Sequence, residues 1–286
     1  SRAETAPAIL KRPPGLSHPR ITLTLHRLSC VMSSPPPEAY TIALAALEAV
    51  YNERDVGITF GGGLTATHSI SGALHASVNL DEPAPAELAC HADATWSDRN
   101  VYGLLLTFAG GTILHQTKKI SLIIDSSMET EAVASGKGAE CIVHAREILR
   151  AFGTPAESPT PISTDNLANH KVGSGIGGPT RSKHFLRRYH SLKQRIRDGD
   201  AVLVHVPDPQ MPADFLTKWI PSAKLEASLR YACNSHTTSS AAADVSATCV
   251  HAGAILSLGS DWGECHSPTV SGPGSAQRGS GPIGDS

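Results

Sequence analysis

The chain has 286 residues, 40% of them hydrophobic and 17% charged, with 25 Gly and 20 Pro. Such a composition supports a modest globular centre between unstructured flanks. A net charge of −2 excludes a globally basic nucleic-acid binder, so any such contact must come from a local patch. Six scattered cysteines (30, 90, 141, 233, 249, 265) include no CxxC pair. They outline neither a zinc ribbon nor a disulfide framework, and they fit reduced thiols inside a cell. No run of about 18 apolar residues marks a membrane span, and the N-terminus lacks an apolar core of signal-peptide length. A start at Ser1 instead of Met fits a fragment or a processed product.

Residues 1–36 are rich in Pro and Ser and read as mostly disordered. EAYTIALAALEAVY at 38–51 is Ala-rich with helical spacing, and VGITF at 56–60 reads as a short strand. From about 87 strands follow one another: ELACHAD, VYGLLLTFAG, then GTILHQTKK entered through a Gly110-Gly111 turn. A helix is predicted from Ser126 or Ser127 to Gly153, with Ser126 and Glu129 at capping-box spacing. Gly136 and Gly138 inside it each cost about 1 kcal/mol relative to Ala, so packing must hold it. A short strand before Asp165, a helical segment near 183–197, a strand at 201–207 and a last helix near 212–219 complete an α/β order with a mixed sheet. Residues 223–286 are dominated by low-complexity sequence and read as a disordered tail.

Four acids stand at comparable places. Asp93 ends the first strand, Glu131 lies early on the long helix, Asp165 follows the fourth strand, and Asp214 opens the last helix. Taken singly, each is equally an ordinary helix-terminus or turn residue, because caps and dipoles favour acids there. Taken together, they can converge at one sheet edge if the first and fourth strands are neighbours. Four carboxylates there would repel without cations, and that combination suits a two-metal phosphodiester-cleaving site.

Five segments carry a resemblance: DATW at 93–96, SSMETEAVA at 126–134, TDN at 164–166, SKHFLRRYH at 182–190 and VPDPQMPADFLTK at 206–218. They are similar to the ribonuclease H domain at the C-terminal end of the Pol polyprotein of copia-type LTR retrotransposons. Residues 27–61 resemble the segment that links the polymerase thumb to that domain. The resemblance implies an RNase H-like mixed five-stranded sheet with flanking helices over 87–222, and a thumb or connection remnant over 37–75. It implies an endonuclease on the RNA strand of RNA/DNA hybrids, with Asp93, Glu131, Asp165 and Asp214 holding two Mg²⁺ ions (or Mn²⁺) about 4 Å apart. The implied partners are the hybrid and a reverse transcriptase polymerase domain, and no membrane. The implied location is intracellular, in cytoplasmic virus-like particles or the nucleus.

Residues 181–197 carry seven Arg or Lys (181, 183, 187, 188, 193, 195 and 197) and no acid. They read as a phosphate-tracking face, with Arg181, Lys183, His184, Arg187, Arg188, Tyr189 and Lys193 as contacts. The alternative is a solvated helix face with Phe185, Leu186 and Leu192 packed inward; both can hold for the same helix, and the phosphate role is favoured. Trp96 reads as core or rim packing, His91 and His205 as structural, and Cys141 as a small buried residue. Two departures from the family stand out: Thr95 where a second Asp is usual, and Ala132 where a large aromatic is usual. The competing reading is an inactive retroelement remnant that at most binds nucleic acid. An integrase-like enzyme is disfavoured, because it would place its Glu after the fourth strand.

Overall fold

The computed structural model describes residues 18–60, 87–97, 99–176 and 183–234, with backbone alone for 183–188. Five strands, β1 (Leu88–Thr95), β2 (Val101–Phe108), β3 (Gly111–Lys119), β4 (Thr160–Thr164) and β5 (Ala201–His205), form one sheet. Their order is β3-β2-β1-β4-β5. The first three are antiparallel, whereas β4 runs parallel to both β1 and β5. This is the mixed five-stranded sheet with flanking helices that the sequence leads one to expect.

The β2–β3 hairpin turns at Ala109 and Gly110, both with positive φ (47° and 80°), one residue earlier than the Gly-Gly pair suggests. Two left-handed residues match the twist of a tight hairpin, so the pairing Phe108↔Gly111 follows directly. Strand β2 is buried on both faces: Leu104 and Leu106 enter one core, and Leu105 points to the other.

The long helix α3 (Ser127–Ala151) links β3 to β4 and packs on the first face. Ser126 accepts from the Glu129 amide, and the Glu129 carboxylate accepts from the Asp125 amide, so the return bond of the capping arrangement falls one residue before the cap. A Cβ at Gly138 would lie 3.1 Å from the Cys90 sulfur and 3.7 Å from Ile162. The glycine therefore lets α3 close on β1 and β4, and that contact offsets its poor helix propensity. Helices α4 (Leu167–Gly173) and α5 (Lys183–Arg197) complete this layer.

The opposite face is covered by a segment that reads as tail in the sequence. Helix α6 (Ser222–Cys233) buries Leu229, Tyr231 and Ala232 against Leu105, Met211, Phe215 and Leu216. The folded part thus continues past 222, to at least Asn234, because α6 closes the second core. Asn234 caps the helix in the left-handed conformation and donates to the Thr59 carbonyl, while the Thr59 amide donates to Cys233. VGITF at 56–60 is therefore no strand of the sheet but a segment bonded to the end of α6 through Thr59. Residues 18–36 are also more ordered than expected. They contain α1 (Thr22–Ser29), followed by α2 (Pro37–Asn52), and Arg20 pairs with Glu53 and Glu226 at 2.7 and 2.9 Å. The segments 1–17, 61–86 and 235–286 lie outside the described residues.

Candidate active site

Because β1 and β4 run parallel side by side, their C-terminal ends reach the same sheet edge. Asp93 is near the end of β1, and Asp165 directly follows Thr164, the last residue of β4. Asp214 arrives from a 3₁₀ turn, Asp214–Leu216, in place of the longer helix predicted near 212–219. That turn is laid across β2, where Gly103 has no room for a Cβ: Leu216 would meet it at 2.6 Å. One ligand oxygen each from Asp93, Asp165 and Asp214 lies within 4.8 Å of the others. Asp93 is 1% exposed, and Asp214 is fully buried.

Glu131 stands beside this trio in the first buried turn of α3. Its Oε1 accepts from the Ala94 amide at 3.0 Å and its Oε2 from the Thr164 hydroxyl at 3.3 Å. It thereby ties the ends of β1 and β4 together next to the aspartates. Burial raises its proton affinity well above the usual carboxylate range, and the Asp93 and Asp165 charges add to that. Burial likewise pushes Asp93 up to about 7, with Asp214 and Asp165 adding while Lys218 and Thr217 oppose. Asp165 is raised for the same leading reason.

Two lysines compensate the acids. The Lys218 ammonium is 3.1 Å from Asp214, 3.5 Å from Asp208, 3.8 Å from Asp93 and 4.0 Å from Asp165. Burial works against its charge, but the surrounding carboxylates outweigh that and hold its pKa above the ordinary lysine value. Lys224, from α6, pairs with the other Asp214 oxygen and donates to the Asp208 carbonyl at 2.6 Å. The Thr217 hydroxyl reaches Asp93 and also the Asp214 carbonyl. Lys218 and Thr217 lie within the VPDPQMPADFLTK segment, but nothing in their local sequence marks them as partners of the acids. Lys224 fell beyond the assumed domain boundary. Asp208 opens its own 3₁₀ turn (Asp208–Gln210) and faces both lysines.

No family model matches the chain. A retrovirus-related Pol polyprotein from the Nicotiana tabacum transposon TNT 1-94 is 26% identical over 124 residues, 43% of this chain and 9% of the relative. The one from the Arabidopsis thaliana transposon RE2 is 23% identical over 207 residues, 71% of this chain and 13% of the relative. Among solved structures, the N-terminal RNase H domain of a Mycobacterium tuberculosis protein, fused to maltose-binding protein, is 13% identical with a TM-score of 0.38. It spans 51% of this chain and 99% of that one. The chain is similar to plant transposon Pol polyproteins. Its sheet, with three antiparallel strands followed by two parallel ones and acids at the β1 and β4 ends, is RNase H-like. The chain spans roughly a tenth of the length of these Pol relatives.

Elsewhere on this RNase H-like domain the surface expectations divide. Tyr189 is 0% exposed and donates to Asn169 at 2.8 Å, so it anchors α5 to α4 and is no surface contact for nucleic acid. Asn169 in turn donates toward Ser135 and Thr164. Lys193 is half-buried on α5, Arg181 lies outside the described residues, and so do the side chains of Lys183, His184, Arg187 and Arg188. Trp96, expected to pack, is 55% exposed just beyond β1. His91 is structural as expected: it is buried, with its Nε2 2.7 Å from the Tyr231 hydroxyl. His205 Nε2 lies 3.1 Å from the Asp165 carbonyl. Cys141 is half-buried beside Gln116, less enclosed than expected. Ala132 is buried where a large aromatic is usual, and Thr95 donates to the Thr217 carbonyl. No helix among the described residues is long and apolar enough to cross a membrane.

Proposed function

We propose that the chain is a divalent-metal-dependent nuclease that hydrolyses the RNA strand of RNA/DNA hybrids, as the ribonuclease H part of a copia-type Pol polyprotein. The observation that carries this reading is the meeting of Asp93, Asp165 and Asp214 within 4.8 Å at one sheet edge. The donor set fits the implied ions. Carboxylates at this separation, two of them buried, repel one another, an all-oxygen set suits a hard cation, and no His or Cys competes among the three. Asp93, Glu131, Asp165 and Asp214 are the residues that would hold Mg²⁺, with Mn²⁺ as a substitute. When bound, such ions neutralise phosphate charge and lower the pKa of the attacking water.

The chain's own groups arrange the rest. Thr217 fixes the Asp93 carboxylate, and the Ala94 amide with the Thr164 hydroxyl fixes Glu131, so the acids are oriented before substrate arrives. Water attacks the scissile phosphorus, the bond to the 3′-oxygen breaks, and a 3′-hydroxyl and a 5′-phosphate result. Of the expected contacts, Arg181, Lys183, His184, Arg187, Arg188 and Lys193 would track phosphates. Discrimination for RNA would come from contacts to 2′-hydroxyls in the minor groove. The polymerase partner would be another part of such a polyprotein, and the work would take place inside the cell, in particles or the nucleus.

The test uses the full 286-residue chain, Mg²⁺ and a labelled hybrid. The parent is expected to cleave the RNA strand, and Asp93→Asn to bind the hybrid without cleaving it. A parent that binds but never cleaves would return the chain to the inactive-remnant reading.

A further inference from the structure

The oxygens of the acid cluster are divided between two kinds of partner. Asp93 Oδ2 is taken by the Thr217 hydroxyl, and Asp214 Oδ2 by Lys224. Three of the remaining oxygens, Asp93 Oδ1, Asp165 Oδ2 and Asp214 Oδ1, face one group, the Lys218 ammonium, at 3.8, 4.0 and 3.1 Å. A single monovalent charge therefore stands among the same three residues that are close enough to share a metal ion.

The two lysines are held differently. Lys224 projects from α6, its side chain is 17% exposed, and it is bonded to the Asp208 carbonyl as well as to Asp214. It is pinned. Lys218 has a side chain 37% exposed and follows the 3₁₀ turn on the coil before α6. Its four-carbon stem lets the ammonium move to solvent without disturbing the turn, since Thr217 and Leu216 carry the packing. Asp208, whose side chain is 64% exposed and lies 3.5 Å from Lys218, offers it an outer partner.

We propose that Lys218 is a tethered counter-cation. Its ammonium holds Asp93, Asp165 and Asp214 together in the metal-free protein and withdraws toward Asp208 when a divalent cation enters. This rests on the metal-dependent reading above and adds to it that metal binding is an exchange of one cation for another. Two consequences follow. The acids can be buried and preorganised before any metal arrives, because their repulsion is already offset. The affinity for the metal is lower than the same carboxylates would show alone, because the ammonium must be displaced.

Isothermal titration of the full chain with MgCl₂, and separately with MnCl₂, compares the parent with Lys218→Met. Loss of a charge 3–4 Å from the ligand oxygens is expected to tighten Kd by about tenfold or more. The melting temperature in EDTA is expected to fall, and the gap between the EDTA and Mg²⁺ melting temperatures to widen. Should the variant not fold in EDTA, the parent supplies the answer through ¹⁵N spectra of its lysine ammonium groups. The Lys218 signal is expected to shift along the Mg²⁺ titration with the calorimetric Kd. Equal Kd in parent and folded variant, or a Lys218 signal indifferent to Mg²⁺ that does bind, overturns the counter-cation role and leaves the metal site standing. Absence of binding to both proteins removes the metal reading and this proposal with it.

Discussion

Replacing Asp93 by Asn should have opposite effects on stability with and without metal. In the metal-free protein, Asp93 is buried beside two other carboxylates, and its pKa is raised from 3.8 to about 7. A carboxyl whose folded pKa lies above its unfolded value favours the fold when protonated. That contribution is complete below pH 3.8 and is lost as the pH rises through about 7. The shift of roughly three units corresponds to about 4 kcal/mol at pH 8. Asn removes this penalty but gives up part of the Thr217 hydrogen bond and brings in a buried amide, at a cost of about 1–2 kcal/mol. A net gain of about 2–3 kcal/mol, or several degrees in Tm, is expected at pH 8 in EDTA, turning into a loss of about 1–2 kcal/mol near pH 4, where only the cost of the amide is left. Saturating Mg²⁺ should reverse the order, since ligand binding to the native state stabilises only a protein that can bind it. Urea unfolding of both proteins from pH 4 to 8.5, with EDTA and with Mg²⁺, checks the whole pattern. An Asp93→Asn variant less stable than the parent at pH 8 in EDTA would refute the claim that burying the ionised Asp93 carboxylate costs the fold stability.

Other parts of the site make their own predictions. Gly103→Ala would drive a methyl into Leu216 and Thr217, with contacts of 2.6 and 3.0 Å, displacing the turn that carries Asp214. A loss of about 1–3 kcal/mol by denaturation, together with weaker Mg²⁺ binding, is expected. Tyr189→Phe removes the bond to Asn169 and should cost about 1–3 kcal/mol. Hybrid binding and its salt slope should stay as in the parent, since the hydroxyl never meets nucleic acid. Ending the chain at Pro221 deletes α6, exposing the second core and releasing the Lys224 contact to Asp214. Circular dichroism is expected to show cooperative unfolding lost or shifted well below the parent, whereas ending it after Asn234 should leave the transition intact.

Much of this molecule is written locally. Alternation over ELACHAD and the continuous apolar run of VYGLLLTF announce strands, and Ser126 with Glu129 announces the start of α3. The acids were legible as a pattern because each sits at the end of an element, where backbone geometry alone sets its direction. The segment KLEASLRYAC was not legible, since its few apolar positions border low-complexity sequence and gain meaning only against Leu105 and Phe215. Tyr189 was misplaced because seven basic neighbours dominate its stretch, while the partner that buries it, Asn169, lies on another helix.

The residue types, the strand and helix periods and the acidic termini belong to the sequence by itself, because they depend on neighbours a few positions away. Which of the acids share a pocket, and that Lys218 stands among them, was decided only in three dimensions. Charge interactions act through space, and the parallel pairing of β1 with β4 is what brings Asp93 to Asp165, with the turn over Gly103 adding Asp214.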